Sequence, residues 1–180
     1  MLFLSKLLYY LLKRPSLKKI QAFGKSPRIG DFCNFTFHHM AKVTIGEKLE
    51  LRNHCSIRVE KDATLSIGNN VFMNNGCSVN CLEKIEIGEN TLFGEGVKLY
   101  DHNHEYSSEK VERQKFKKAP IKIGKNCWLG SNVVVLKGVT IGDNSIIGAN
   151  VTVYKNIPAH SVVVNKSESV IKSVFEFRRI

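Results

Sequence analysis

Residues 121–158 read IKIGKNCWLGSNVVVLKGVTIGDNSIIGANVTVYKNIP, and their spacing decides the fold. Steps of six from Ile123 land on Leu129, Val135, Ile141, Ile147 and Val153, every one aliphatic. A glycine follows four of these six: Gly124, Gly130, Gly142 and Gly148. A period of six is neither the 3.6 of a helix nor the 2 of a flat strand. It suits a chain that makes a short strand, turns a corner and repeats, so that each side of a prism sends one aliphatic side chain inward. The expectation is an all-β protein, a parallel β-helix built from six-residue repeats.

The same ladder runs backward through the chain. Ile–Gly recurs at Ile29, Ile45, Ile67, Ile87, Ile123 and Ile141. From the last five, two more steps of six reach Leu51 and Ile57, Met73 and Val79, Phe93 and Leu99, Leu129 and Val135, and Ile147 and Val153. Three such repeats make one triangular coil of about eighteen residues. Five regular coils are expected, with a ragged sixth at the N-terminal end around Ile29. Two coils carry a few extra residues at one corner, and residues 105–122 fit no coil and are expected to loop out. The organisation read from this pattern is an N-terminal amphipathic helix and linker over 1–25, a β-helix over 26–165 with an inserted loop at 105–122, and a C-terminal helix over 166–180.

Charge is unevenly spread. The chain has 27 Lys and Arg against 16 Asp and Glu. Its first thirty residues hold Lys6, Lys13, Arg14, Lys18, Lys19, Lys25 and Arg28 and no acid. Such a segment suits an anionic membrane surface or nucleic acid. With no zinc finger, RNA-binding signature or set of stacking aromatics, nucleic acid is not expected. Residues 2–12, LFLSKLLYYLL, are too short to span a bilayer and lack a small-residue cleavage site. Two roles stay open for them: a cap over the first coil, or a surface anchor whose apolar face enters lipid. The five cysteines, an odd count without metal spacing, fit a reducing cytoplasm. Cys55 and Cys77 fall at one rung, where later coils have Val97, Val133 and Val151, and are read as small inward fillers. Cys33 and Cys127 take another inward position, while Cys81 has no assignment.

Chemistry is expected where Leu99 ends a regular face and YDHNH, residues 100–104, leaves the coil. Asp101, His102 and His104 bracket the start of the insertion. Asn74 directly follows the inward Met73, a position where asparagine closes a turn or meets a ligand. His38, His39 and His54 are read as surface, and Phe35 and Phe37 as packing of the end coil.

The ladder, with YDHNH before an excursion and then IGKNCWLGSNVVVLKGVTIGDNSIIGAN, resembles the hexapeptide-repeat acyltransferases. The nearest pattern is that of the galactoside and maltose O-acetyltransferases and of relatives that acetylate bacterial surface polysaccharides. The match covers roughly residues 67–172. The resemblance implies a left-handed β-helix; the general crossover rule favours the right hand, so this handedness comes from the resemblance alone. It also implies a homotrimer with sites between neighbouring subunits, and acetyl-CoA as co-substrate without a metal.

Carried over residue by residue, the resemblance implies His104 as general base, since the register that keeps both flanking Ile–Gly steps ungapped selects it over His102. It places Asn74 in the acceptor pocket; beside that resemblance, the position of His102 and Asp101 next to the base suits either of them to orient the imidazole or contact the acceptor. Ser131, Ala149, Lys155 and Lys172 match positions lining the coenzyme groove, Trp128 matches the tryptophan of the same strand and is read as part of the wall around the cofactor's pantetheine, and Tyr154 stands where a Thr would contact the cofactor. Cys81 and Leu82 replace acidic residues near the acceptor of the galactoside enzymes, and the small helical domain preceding their β-helix has no counterpart.

The implied activity is acetyl-CoA-dependent O-acetylation of a sugar hydroxyl in surface polysaccharide or glycan biosynthesis. The acceptor is a sugar or glycan, nucleotide- or lipid-linked, and the location is cytoplasmic or peripheral at the inner face of the membrane. The alternatives are N-acetylation of an amino sugar and a non-catalytic β-helix scaffold. A zinc carbonic anhydrase on the same fold would need three converging histidines, and His102 and His104 lack a clear third.

Overall fold

The computed structural model describes residues 20–166. Within them the chain winds as a left-handed parallel β-helix of six coils and the start of a seventh. Three parallel sheets form the faces of the prism. The first stacks Ile20–Phe23, Lys42–Ile45, Thr64–Ile67, Lys84–Ile87, Ile121–Ile123 and Thr140–Ile141. The second runs from Arg28–Ile29 through Phe72–Met73 and Trp128–Leu129 to Val162–Val163. The third runs from Asn34–Phe37 through Lys98–Tyr100 to Thr152–Val153.

Every six-residue landing from Ile45 to Val153 is buried, at 3% exposure or less. Removing one such aliphatic side chain from water contributes about 1.5–3 kcal/mol. The narrow column therefore gains stability rung by rung. Corners turn through left-handed backbone, which asparagine tolerates better than most residues. Asn70, Asn90, Asn126 and Asn144 line one corner and Asn132 and Asn150 the next, all with φ of 55–60°. Their amides also bond from coil to coil: Asn70 to Asn90 at 2.9 Å, Asn126 to Asn144 at 3.1 Å and Asn132 to Asn150 at 3.2 Å.

Three details differ from the sequence reading. Ile29 does not head the column of Ile45; it pairs with Leu51 on the second sheet, and Phe23–Gly24 stacks on Ile45–Gly46 instead. Cys33 is inward but tops the Cys55–Cys77 column rather than sharing a position with Cys127, because Asn34, Ser56 and Ser78 are in register. The excursion is not a loop over 105–122. It is an antiparallel hairpin of His102–Tyr106 and Val111–Lys118, and Ile121 and Lys122 already lie in the first sheet against Ile85 and Glu86. The extra residues of the early coils do sit at one corner, in the turns around Glu60–Ala63 and Leu82–Lys84 between the third and first sheets. Phe35 and Phe37 pack inward in the first coil, and all five cysteines are buried free thiols. The helices expected within 1–25 and 166–180 lie outside the described residues, save for 20–25 and 166, which are not helical.

Candidate functional site

The hairpin grows from the corner between the third and first sheets. Asp101 sits at its root, completely buried. Its Oδ1 and Oδ2 accept the backbone N–H of Leu82 at 2.9 and 3.0 Å, and Oδ2 also accepts those of Glu83 at 2.7 Å and Lys84 at 2.9 Å. His102 Nδ1 lies 3.1 Å from Oδ1. Burial alone would raise the carboxyl pKa. The His102 hydrogen bond and the backbone N–H groups outweigh it and hold Asp101 below its ordinary value. Asp101 thus spends its oxygens inside the protein and presents none to an acceptor.

His102 is mostly covered, its side chain 16% exposed. Its ring meets Tyr100 and Phe116 edge-on, with centroids at 6.2 and 5.3 Å. His104 is exposed two residues further along the strand, and its ring lies 4.7 Å from that of Phe116. His104 Nδ1 is 3.0 Å from the carbonyl oxygen of Glu112 on the facing strand. A carbonyl only accepts, so in the neutral ring the proton sits on Nδ1 and Nε2 carries the lone pair. Among the described residues nothing hydrogen-bonds to that Nε2. His104 is therefore oriented, in the tautomer a base needs, and open to a substrate. Phe116, which touches both imidazoles, is the residue the sequence reading missed. The alternation of VERQKFKK, with Phe116 the single aromatic among cations, was the available signal.

The remaining residues divide between two corners. Asn74 lies at the corner between the second and third sheets, where its Oδ1 accepts the N–H of Asn75 at 2.8 Å. Ser131 and Ala149 occupy successive coils at that same corner, and the Ser131 carbonyl accepts the Asn150 N–H at 2.8 Å. Trp128, on the adjoining face, is 53% exposed and stands in a ladder with Leu92 and Ile146, also exposed. Tyr154 and Lys155 lie exposed beyond Val153, at the corner that bears the hairpin. Within one chain the third sheet separates the two groups. Lys172 lies outside the described residues. Cys81 and Leu82 are buried, and Leu82 offers its N–H to Asp101. Among the described residues no three His, Cys, Asp or Glu side chains are grouped to hold a metal ion.

Residues 120–155 match the family model described as the hexapeptide repeat of succinyl-transferase. The galactoside O-acetyltransferase of Escherichia coli strain K12 is 36% identical over 90 residues, which is 50% of this chain and 44% of that protein. The matched stretch spans less than half the length of the curated relatives. Among solved structures, a maltose O-acetyltransferase from Clostridium difficile 630 aligns with a TM-score of 0.57 at 26% identity, covering 88% of this chain and 72% of its own. The N-acyltransferase AntD from Bacillus cereus, solved with dTDP-4-amino-4,6-dideoxyglucose and coenzyme A, aligns with a TM-score of 0.71, covering 93% of each chain. At 14% identity that likeness concerns the fold alone. The fold is a β-helix of six-residue repeats, and the resemblance of the chain to the hexapeptide-repeat acyltransferases is borne out.

Proposed function

We propose that this protein is an acetyl-CoA-dependent O-acetyltransferase that modifies a sugar hydroxyl, in surface polysaccharide or glycan biosynthesis, with His104 as general base. The observation that carries the reading is the state of His104: exposed on a hairpin rooted in a rigid coil, with Nδ1 committed to the Glu112 carbonyl and Nε2 left to accept a proton. The likeness to galactoside and maltose O-acetyltransferases supports the acyl donor and the sugar class.

Acetyl-CoA brings an activated thioester, so what the reaction lacks is a nucleophile. His104 Nε2 takes the acceptor hydroxyl proton as that oxygen bonds to the acyl carbon. The carbon–sulfur bond then breaks, and the imidazolium returns the proton to the departing thiolate. Such a base contributes about 10²–10⁴-fold. Trp128, Ser131 and Ala149 at one corner and Tyr154 and Lys155 at the other are proposed to face the coenzyme, with Lys155 meeting a phosphate as a charged donor. Because these groups sit on opposite edges of one chain, the site is proposed to be completed by a neighbouring copy in a homotrimer.

Changing His104 to Ala should lower acetyl transfer by about 10²–10⁴-fold while acetyl-CoA affinity, measured by isothermal titration, is retained. Undiminished turnover would remove the assignment. A loss confined to His102→Ala would transfer the role to His102, whose Nδ1 is likewise fixed, by the Asp101 carboxylate. Release of the acetyl label by mild base separates an ester from the amide of an N-acetyltransferase. The basic amphipathic segment at residues 1–20 is proposed to rest on the inner membrane surface near a lipid-linked acceptor. Equal liposome pelleting with and without it would end that part.

A further inference from the structure

We infer that Asp101, His102 and Phe116 form a brace that fixes the imidazole of His104, which makes Asp101 a positioning residue and not an acceptor ligand. The inference rests on His104 being the base. The contacts form one unbroken line. The Leu82–Lys84 corner holds Asp101 through four hydrogen bonds from three backbone N–H groups. Asp101 Oδ1 holds His102 Nδ1 at 3.1 Å. The His102 ring abuts Phe116, and Phe116 abuts His104.

Two features require such a brace. First, the hairpin pairs with no strand of the prism; its main-chain ties to the coil are Ala119 N–H to the Asp101 carbonyl at 2.9 Å and Gly138 N–H to the Ala119 carbonyl at 3.1 Å. A two-stranded hairpin alone is marginally stable in water. Second, the regular ladder ends at the His104–Phe116 pair: the register shifts immediately beyond it, between His104 and Tyr106, so pairing supports His104 from the root side alone. A buried carboxylate at the root, gripping one side chain of the first strand, supplies the missing constraint. Through Phe116 on the second strand it reaches the base. Outer groups of this kind matter because about 1 Å of misplacement at a reacting group can cost about 10²-fold.

Imidazole NMR of His104, assigned through loss of its signals in His104→Ala, tests the brace without any acceptor. Wild-type protein should show one tautomer, with the proton on Nδ1. Asp101→Asn, His102→Gln and Phe116→Ala should each shift His104 toward the averaged tautomers of a free imidazole, and Phe116→Tyr should restore the wild-type pattern. With acetyl-CoA and p-nitrophenyl β-D-galactopyranoside as acceptor, the three damaging variants should lower kcat by about 10–100-fold and leave the acetyl-CoA KM within about twofold. If Asp101→Asn does not fold, His102→Gln and Phe116→Ala on the exposed hairpin carry the test. Unchanged His104 signals in those variants, or equal damage from Phe116→Tyr and Phe116→Ala, would overturn the inference. Full turnover in His104→Ala would instead overturn the assignment of the base, while the NMR result would still report whether the brace exists.

Discussion

Replacing Gly88 with Ala tests the seam across which the hairpin excursion must close. Ile87 and Ile123 pair as neighbours although 36 residues separate them, so the coil resumes in register after the longest departure in the helix. A Cβ on Gly88 would lie 2.5 Å from Gly124 C, Gly124 O and Lys125 N, all backbone atoms that no rotamer can move aside. Each contact is about 1 Å short of ordinary van der Waals separation. Opening the coils by that amount stretches the Gly88 N–H bond to the Ile123 carbonyl, now 2.8 Å, out of hydrogen-bonding range. Overpacking costs about 1–3 kcal/mol, and losing a hydrogen bond adds about 0.5–1.5 kcal/mol. A fall of roughly 2–4 kcal/mol lowers Tm by about 5–15 °C in a chain of this size. Gly76→Ala is the control: Gly76 has a φ of 70°, and an added Cβ meets nothing within 4 Å. That change costs only the left-handed backbone penalty of about 1–2 kcal/mol. Thermal unfolding followed by circular dichroism gives both values. If Gly88→Ala melts within about 2 °C of wild type, or is milder than Gly76→Ala, the two coils do not approach as described.

The Asp101 carboxyl is depressed in the folded protein, so its contribution is complete above the ordinary value of 3.8 and is lost as pH falls through the lower folded value. Chemical denaturation between pH 2 and 6 should therefore show an acid limb that is shallower in Asp101→Asn; an identical limb would refute this. All five thiols are buried; at Cys55 the Cys33 hydrogen bond lowers the thiol, but the Cys77 neighbour and burial outweigh it and hold Cys55 up at about 11. A disulfide exchange reagent at pH 8 should label none of them in native protein and all five in denaturant, and rapid native labelling would contradict the inward column. Lys155→Ala should raise the KM for acetyl-CoA several-fold with kcat nearly unchanged, a pattern of lost uniform binding. A fall in kcat alone would remove Lys155 from the coenzyme groove.

The prism was legible because its inward residues must be apolar whatever surrounds them, and a spacing of six survives any surface sequence. Ile29 went to the wrong face for a definable reason. Glycine follows inward residues at two corners, so an Ile–Gly pair marks a corner but not which one. Coil length would have resolved it: the early coils repeat at 22 residues, and 22 back from Ile45 is Phe23, while 22 on from Ile29 is Leu51. The end of the excursion was likewise readable, since IKIG at 121–124 repeats the alternation of IEIG at 85–88 and pairs with it residue for residue. The role of Asp101 was not readable by any such count. An aspartate before two histidines looks the same whether it faces a ligand or three backbone N–H groups of a corner seventeen residues earlier. Periodicity reports which side chains are inside. It carries no information about an acid whose burial is compensated by backbone N–H groups of another coil, and that compensation separates a residue that holds the site from one that meets the substrate.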